Sequence, residues 1–131
     1  MSDGYALAEG PPSAEDFVRL RAVAGLSPFS LEAARIALPN TIFAVRILHD
    51  GTCIGMGRIV GDGGCFFQIT DIAVDPGHRK RGLGKRIVAA LTDHLRRNAP
   101  SGAYVSLIAD GEARNLYAQF GFRPTAPPPL A

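Results

Sequence analysis

The sequence has few cysteines, little net charge and no long apolar run, and each scarcity argues against a class of protein. Its two cysteines, Cys53 and Cys65, are too few for a disulfide framework, and no His/Cys spacing predicts a metal site. No segment approaches the roughly 18 apolar residues of a membrane helix. A net charge of +2 argues against a general nucleic-acid binder.

These scarcities, with ordinary bulk composition, predict one globular domain over residues 1–131. Apolar residues make up 47% and charged residues 20% of the chain, which is typical of a globular protein. A chain of this length buries roughly two thirds of its unfolded surface without cross-links. The first residues lack the basic-then-apolar pattern of a signal peptide. We therefore expect a cytoplasmic protein whose cysteines are reduced, strand-borne and structural.

Periodicity and turn residues predict alternating strands and helices. Asp50-Gly51 favours a tight hairpin, because both central residues of a type I′ turn need positive φ. Ser13 and Ser30 are candidate helix N-caps. The predicted strands cover residues 4–9, 41–49, 52–60, 65–74, 104–109 and a stretch from 122, and the predicted helices cover 14–24, 30–37, 83–98 and 111–120. This order predicts a layered α/β fold with a mixed, largely antiparallel central sheet flanked by helices.

A basic turn that contains glycine connects the predicted strand 65–74 to the helix that follows it. Five of the eight residues 79–86 are Lys or Arg, and Gly82 and Gly84 stand where the helical pattern begins. Loop amides and a helix N-terminus concentrate partial positive charge, and glycine lets a phosphate approach the backbone closely. The turn therefore predicts a site for a phosphorylated cofactor; the alternative is an ordinary solvated loop.

Two motifs resemble those of one family. Residues 79–84, Arg-Lys-Arg-Gly-Leu-Gly, match the Arg/Gln-x-x-Gly-x-Gly/Ala signature of the GNAT superfamily of acetyl-CoA-dependent N-acetyltransferases. Residues 116–122, Leu-Tyr-Ala-Gln-Phe-Gly-Phe, resemble its closing Leu-Tyr-x-x-x-Gly-Phe. The strand pattern at 69–74 is similar to the glucosamine-6-phosphate N-acetyltransferase branch. The resemblance extends over about residues 5–125 and implies the GNAT-like acyl-CoA N-acyltransferase fold.

The resemblance also implies that acetyl-CoA binds on two segments, with no metal required. Amides of residues 81–85 would take the pyrophosphate, and Arg79 and Lys80 would lie near its adenosine end. The strand backbone at 72–74 would pair with pantetheine like an added strand, and an amide near Ile72 would face the thioester carbonyl. The implied cofactor-binding residues are Ile72, Ala73, Val74, Arg79, Lys80, Arg81, Gly82, Leu83, Gly84 and Lys85.

Tyr117 and Asp71 are the candidate catalytic residues. Tyr117 stands at the family position of the general acid that protonates the departing thiolate, although its apolar neighbours also suit a core tyrosine. Asp71 is a charged residue inside an apolar strand, which is costly without a partner. It either faces the amine substrate as a base, or has a structural role in which it pairs with Arg58 or faces a turn. Arg58 is also a candidate for the acceptor site. Asp110 suits a helix cap.

The histidines and the chain end carry weaker signals. His49, His78 and His94 pair with no obvious carboxylate or serine, so we assign them no catalysis. After Thr125 three consecutive prolines, which cannot donate to a strand ladder, replace the final strand usual in this family. Either that strand is missing from the proline-rich tail 126–131 or a partner chain pairs with the edge, which makes a homodimer possible.

The function predicted from these observations is acetyl transfer from acetyl-CoA to the primary amine of a small molecule or peptide. No covalent enzyme intermediate is expected, because neither cysteine lies in a nucleophile context. The alternative is a catalytically inactive acyl-CoA-binding module that acts as a sensor or assembly subunit. We expect no nucleic-acid or membrane partner, and the sequence does not identify the amine.

Overall fold

A computed structural model describes residues 3–107 and 117–123 of the chain. The strands are β1 (Tyr5–Glu9), β2 (Phe43–His49), β3 (Thr52–Gly61), β4 (Phe66–Val74) and β5 (Tyr104–Leu107), and the helices are α1 (Ala14–Val23), α2 (Leu31–Ala37) and α3 (Leu83–Asn98). Short 3₁₀ turns cover Leu38–Asn40 and Pro76–His78. The sheet order is β1-β2-β3-β4-β5. Its first three pairings are antiparallel and β4–β5 is parallel, which confirms the predicted mixed sheet.

Local sequence signals fix several of these boundaries. Asp50 and Gly51 have φ of 50° and 79°, and they close a two-residue hairpin between His49 and Thr52. The hydroxyls of Ser13 and Ser30 accept the amides of residues 16 and 33 at 3.1 and 3.0 Å. Both serines are therefore the N-caps that the sequence predicts.

The sheet separates two apolar layers. On one face α3 packs through Leu83, Ile87 and Leu91 against strand residues of β2, β3 and β4. On the other face Phe17 and Leu20 of α1 pack against Met56 and its neighbours. The loop between β4 and α3 thus lies at one end of the sheet, and α1 with α2 covers the face opposite α3.

A bulge in β4 changes which face its side chains occupy. Arg58 of β3 pairs with Thr70 and Met56 pairs with Ala73, so Gly57 alone lies opposite two residues of β4. Before the bulge the odd-numbered residues face α3; after it Asp71 and Ala73 face α1. Asp71 has φ of +60°, a conformation that non-glycine residues adopt uncommonly.

Some predicted elements differ or fall outside the described residues. β4 begins at Phe66, so Cys65 lies in a bend and its predicted strand position is wrong. Tyr117 and Ala118 are helical, whereas residues 122–123 form no strand. The predictions for Asp110, for most of helix 111–120 and for residues 124–131 lie outside the described part. No helix within the described residues is long and apolar enough to cross a membrane.

We predict that Gly57→Ala destabilises the protein. The added Cβ would lie 2.5 Å from Cγ2 of Ile87 and 3.0 Å from Cδ1 of Leu91, both fully buried. Such overpacking typically costs about 1–3 kcal/mol of unfolding free energy. Urea denaturation measures it. Gly64→Ala is the control, because its Cβ meets only Asp62 at 4.0 Å; equal stability of the two variants would contradict the packing.

We also predict that iodoacetamide labels Cys65 and spares Cys53. Cys65 is exposed, whereas Cys53 is buried, and burial, with Asp16 nearby, raises the pKa of the Cys53 thiol. Less of this thiol is therefore thiolate at pH 8, and the reagent reaches it poorly. Mass spectrometry of the native protein should find one adduct and, after denaturation, two. Two adducts on the native protein would contradict the prediction.

Candidate active site

The loop between β4 and α3 is an ordered turn with its basic residues exposed. Asp75 accepts the amide of Gly77 at 2.9 Å and so starts the 3₁₀ turn. Two residues beyond that turn have positive φ, Lys80 at 64° and Gly82 at 73°. Residues 79–82 are all exposed. The loop backbone is thus folded back with its charged side chains in solvent.

Helix α3 begins directly at this loop and leaves its N-terminus open. Gly82 is the N-cap and offers no side-chain cap, while the buried Leu83 anchors the first turn in the core. The first amides of a helix have no acceptor within it, so those of residues 83–85 are available to a ligand. With α3 16 residues long and Lys80 and Arg81 beside its start, this end of the sheet suits an anion.

The end of β4 lies next to this loop. Ala73 and Val74 pair with Met56 and Gly55 of β3, and the amide of Asp75 donates to Ile54 at 2.8 Å. On the other side, the described part of β5 pairs with residues 66–69 of β4. Within the described residues, the backbone of 72–74 thus has no strand partner on that edge.

Asp71 is the centre of a buried ion cluster. Its two carboxylate oxygens accept hydrogen bonds from Nη1 of Arg21 in α1 and, at 2.8 Å, from Nε of Arg58 in β3. All three side chains are over nine-tenths buried. Pairing with Arg58 was the structural alternative that the sequence left open. Whether Asp71 also takes part in a reaction stays a prediction, since no contact tests it.

The sequence did not predict that Arg21 belongs to this cluster. It lies fifty positions from its partner, and arginine at the exposed-looking end of a helix carries no local signal. The only hint is that Asp71, inside a strand, needs partners. The rings of Phe17 and Phe29 lie 6.0 and 4.5 Å from the Arg21 guanidinium carbon and complete its surroundings.

Tyr117 is buried at the start of the second described segment. Its backbone carbonyl accepts the amides of Phe120 and Phe122, which closes the turn at Gly121. Phe122 packs against the α3 core. These contacts place Tyr117 inside the protein, and its predicted role as an acid stays a prediction.

Two of the three histidines join a cluster near the loop. The Tyr5 hydroxyl lies 2.7 Å from Nδ1 of His78, and the rings of His49 and His78 are 4.9 Å apart. His49 also lies 3.6 Å from the exposed carboxylate of Asp50, a contact that the sequence reading overlooked. His94 stacks on Phe43 at 3.9 Å. Their lack of a catalytic role stays a prediction.

The sequence profile described as the acetyltransferase (GNAT) family matches residues 14–122, most of the chain and both sides of this site. The chain belongs to the GNAT family of acetyltransferases. This confirms the resemblance that the motifs at 79–84 and 116–122 indicate. It also accounts for the mixed sheet with the loop and helix at its end.

Similar proteins agree with this assignment. A protein of unknown function from meticillin-resistant Staphylococcus aureus, described as a probable acetyltransferase, is 41% identical, with 94% of this chain and 92% of that chain covered and a TM-score of 0.90. Glucosamine-6-phosphate N-acetyltransferase from Arabidopsis thaliana shares the fold at 18% identity, with 96% and 97% covered and a TM-score of 0.67.

A curated relative, an uncharacterized N-acetyltransferase from Pyropia yezoensis, is 26% identical over 96 residues. The match covers 70% of this GNAT chain but only 54% of that protein. The chain thus spans about half the length of the curated relative. Within the described residues, no cluster of three or more His, Cys, Asp or Glu side chains could hold a metal ion.

We predict that Asp71→Asn lowers the free energy of unfolding by about 3–5 kcal/mol, because it leaves two buried guanidinium groups without a counterion. Denaturant unfolding measures the loss. Asp93→Asn is the control: it breaks the exposed pair with Arg97 at 2.7 Å and should cost at most about 1 kcal/mol. A cost for Asp71→Asn as small as the control's would contradict the burial of the ion cluster.

Proposed function

We propose that this GNAT protein transfers an acetyl group from acetyl-CoA to a primary amine of a small molecule or peptide. The observation that carries the proposal is the open N-terminus of α3, which follows an exposed basic loop at the end of β4. Family membership supports acetyl transfer. The pyrophosphate would bind the amides of 81–85, and Arg79 and Lys80 would neutralise the phosphate charge.

The bulged end of β4 is the place where we expect the acetyl group of the cofactor to lie. Backbone groups at 72–74, without a described partner on the β5 side, would pair with the amides of the pantetheine arm. An amide near Ile72 would then donate to the thioester oxygen as negative charge develops on it. The bulge matters here because it fixes the direction of those backbone groups.

In the proposed reaction the acetyl group passes directly from the sulfur of CoA to the nitrogen of the amine. The neutral amine nitrogen attacks the thioester carbon, the new C–N bond replaces the C–S bond, and the phenol of Tyr117 gives its proton to the leaving thiolate. The amine loses its own proton to water. We assign Asp71 to holding the bulge, since both its oxygens already accept arginine hydrogen bonds. The cytoplasmic location and the homodimer expected from the sequence remain predictions.

The cofactor half is tested by calorimetric titration of acetyl-CoA. We predict binding by the unmodified protein and none detectable by Gly84→Trp, whose indole would cover the α3 N-terminus. Gly64→Trp, a variant in the bend at the opposite end of β4, should bind like the unmodified protein. Absence of binding by the unmodified protein would overturn the proposal, and equal binding by both tryptophan variants would overturn the loop assignment.

Tyr117→Phe separates an enzyme from an inactive acyl-CoA-binding module. Loss of the phenolic proton should lower kcat by about 100- to 10,000-fold and leave acetyl-CoA affinity unchanged, since general acid catalysis typically contributes that much. Mass spectrometry of the acetylated amine gives kcat, and calorimetry gives the affinity. An unchanged kcat would remove Tyr117 from the mechanism. Binding without turnover of any amine by the unmodified protein would favour the inactive module.

A further inference from the structure

The buried ion cluster carries more positive than negative charge. Two guanidinium groups, from Arg21 and Arg58, share the single carboxylate of Asp71, which leaves a formal charge of +1. Among the described residues, no other carboxylate lies within 4 Å of either arginine. An uncompensated buried charge is costly, and a bound anion would relieve the cost.

The cluster also has more hydrogen-bond donors than acceptors. Arg58 donates through Nε to Asp71 and through Nη1 to the Thr41 hydroxyl at 2.6 Å and the Ala37 carbonyl at 3.4 Å. Its Nη2 group has no acceptor in the described part of the chain. Because no buried side-chain nitrogen or oxygen there lacks a partner, this Nη2 atom is not completely enclosed, although the Arg58 side chain is only 7% exposed.

Two hydroxyls add further donors. Ser27 accepts from Nη2 of Arg21 at 3.1 Å, and Thr41 accepts from Arg58, so both hydroxyl oxygens are engaged as acceptors. Neither hydroxyl hydrogen is donated to a described acceptor. Ser27 is exposed and Thr41 half-buried, so a ligand can reach both. The cluster therefore has spare donors, at Nη2 of Arg58 and at two hydroxyls, and few spare acceptors, which is the complement of an anion.

The cluster also lies where an acceptor would have to bind. Asp71 immediately precedes Ile72, at the proposed point of transfer, and Arg58 pairs with Thr70 across the bulge. Phe29, about half exposed, lies over Arg21 and forms an apolar wall beside it.

We propose that the unpaired Nη2 side of Arg58, in this largely buried cluster, binds the anionic group of the acceptor, so that the substrate is an amine that carries a carboxylate or phosphate. This inference rests on the proposed acetyl transfer and names its substrate class. The guanidinium edge would form charge-assisted hydrogen bonds with the anion, and the amine would lie toward the bulge of β4.

The test compares amino acids with their uncharged carboxamides as acceptors. Phenylalanine and leucine are paired with their amides, and kcat/KM is measured for each by mass spectrometry of the acetylated product. Because a carboxamide also lowers the pKa of the amine, the informative quantity is the change in the carboxylate-to-amide ratio between protein variants. Arg58→Gln should lower that ratio about tenfold or more, since a charged hydrogen bond is worth that much. Arg35→Gln, which removes an exposed arginine of α2, should leave it unchanged.

The ratio of kcat/KM for two substrates is also insensitive to partial misfolding of a variant. Arg58→Gln leaves Asp71 paired with Arg21, a neutral pair, and any loss of folded enzyme lowers both rates equally. A ratio that survives Arg58→Gln unchanged would overturn the proposal.

A second arm uses inorganic phosphate as probe on protein saturated with CoA, which occupies the α3 loop. Melting temperature is measured in phosphate and in chloride of equal ionic strength. A phosphate-dependent rise that Arg58→Gln removes supports the anion site even if no amine is acetylated, which separates this inference from the proposed function. A phosphate-dependent rise in melting temperature without any preference for carboxylate acceptors would assign the site to a free anion. It would overturn the proposal that the site binds the acceptor. No rise and no preference would overturn the site itself.

Discussion

The buried pairing of Asp71 with two arginines is the interaction on which the arrangement of the site depends. It joins α1, β3 and β4 at the bulge where β4 changes face. Asp71 has a left-handed backbone there, a conformation that costs free energy in a non-glycine residue unless its surroundings hold it. The two guanidinium groups supply that hold. The helices that cover one face of the sheet are thereby tied to the strand that carries the proposed transfer point.

Two positive regions of different character meet at β4. The loop at residues 79–82 is basic, exposed and screened by salt, so it suits the phosphates of a large, charged cofactor. The arginine cluster is buried, where a single uncompensated charge acts strongly on a close neighbour. One strand thus lies between the loop proposed for the phosphorylated cofactor and the cluster proposed for a smaller anionic acceptor.

Much of the fold follows from local sequence signals. The Asp50-Gly51 hairpin, the Ser13 and Ser30 caps and the full extent of α3 each depend on residues close together in the chain. The loop at 79–84 could also be predicted, because a strand, glycines and a helix follow one another directly in the sequence.

Features that depend on contacts between residues far apart in the chain could not be predicted from the sequence. Arg21 reaches its partner across fifty positions, and the Tyr5–His78 contact spans more than seventy. The bulge at Asp71 depends on the register between β3 and β4, which hydrophobic alternation alone did not reveal. The sequence predicts Cys65 in a strand because it follows a likely turn. In the structure the side chain of Asp62 accepts the amides of Gly64, Cys65 and Phe66, which extends the turn and delays β4 by one residue.

The central claim is that acetyl-CoA binds across the end of β4 and the N-terminus of α3. Amide NMR spectra recorded during an acetyl-CoA titration test it most directly, because they report each backbone N–H separately. The claim predicts the largest shifts at residues 72–74 and 81–85, with little change at the opposite end of the sheet near Gly64 and Gly102. Shifts concentrated at that opposite end, or spectra unchanged by acetyl-CoA, would contradict it.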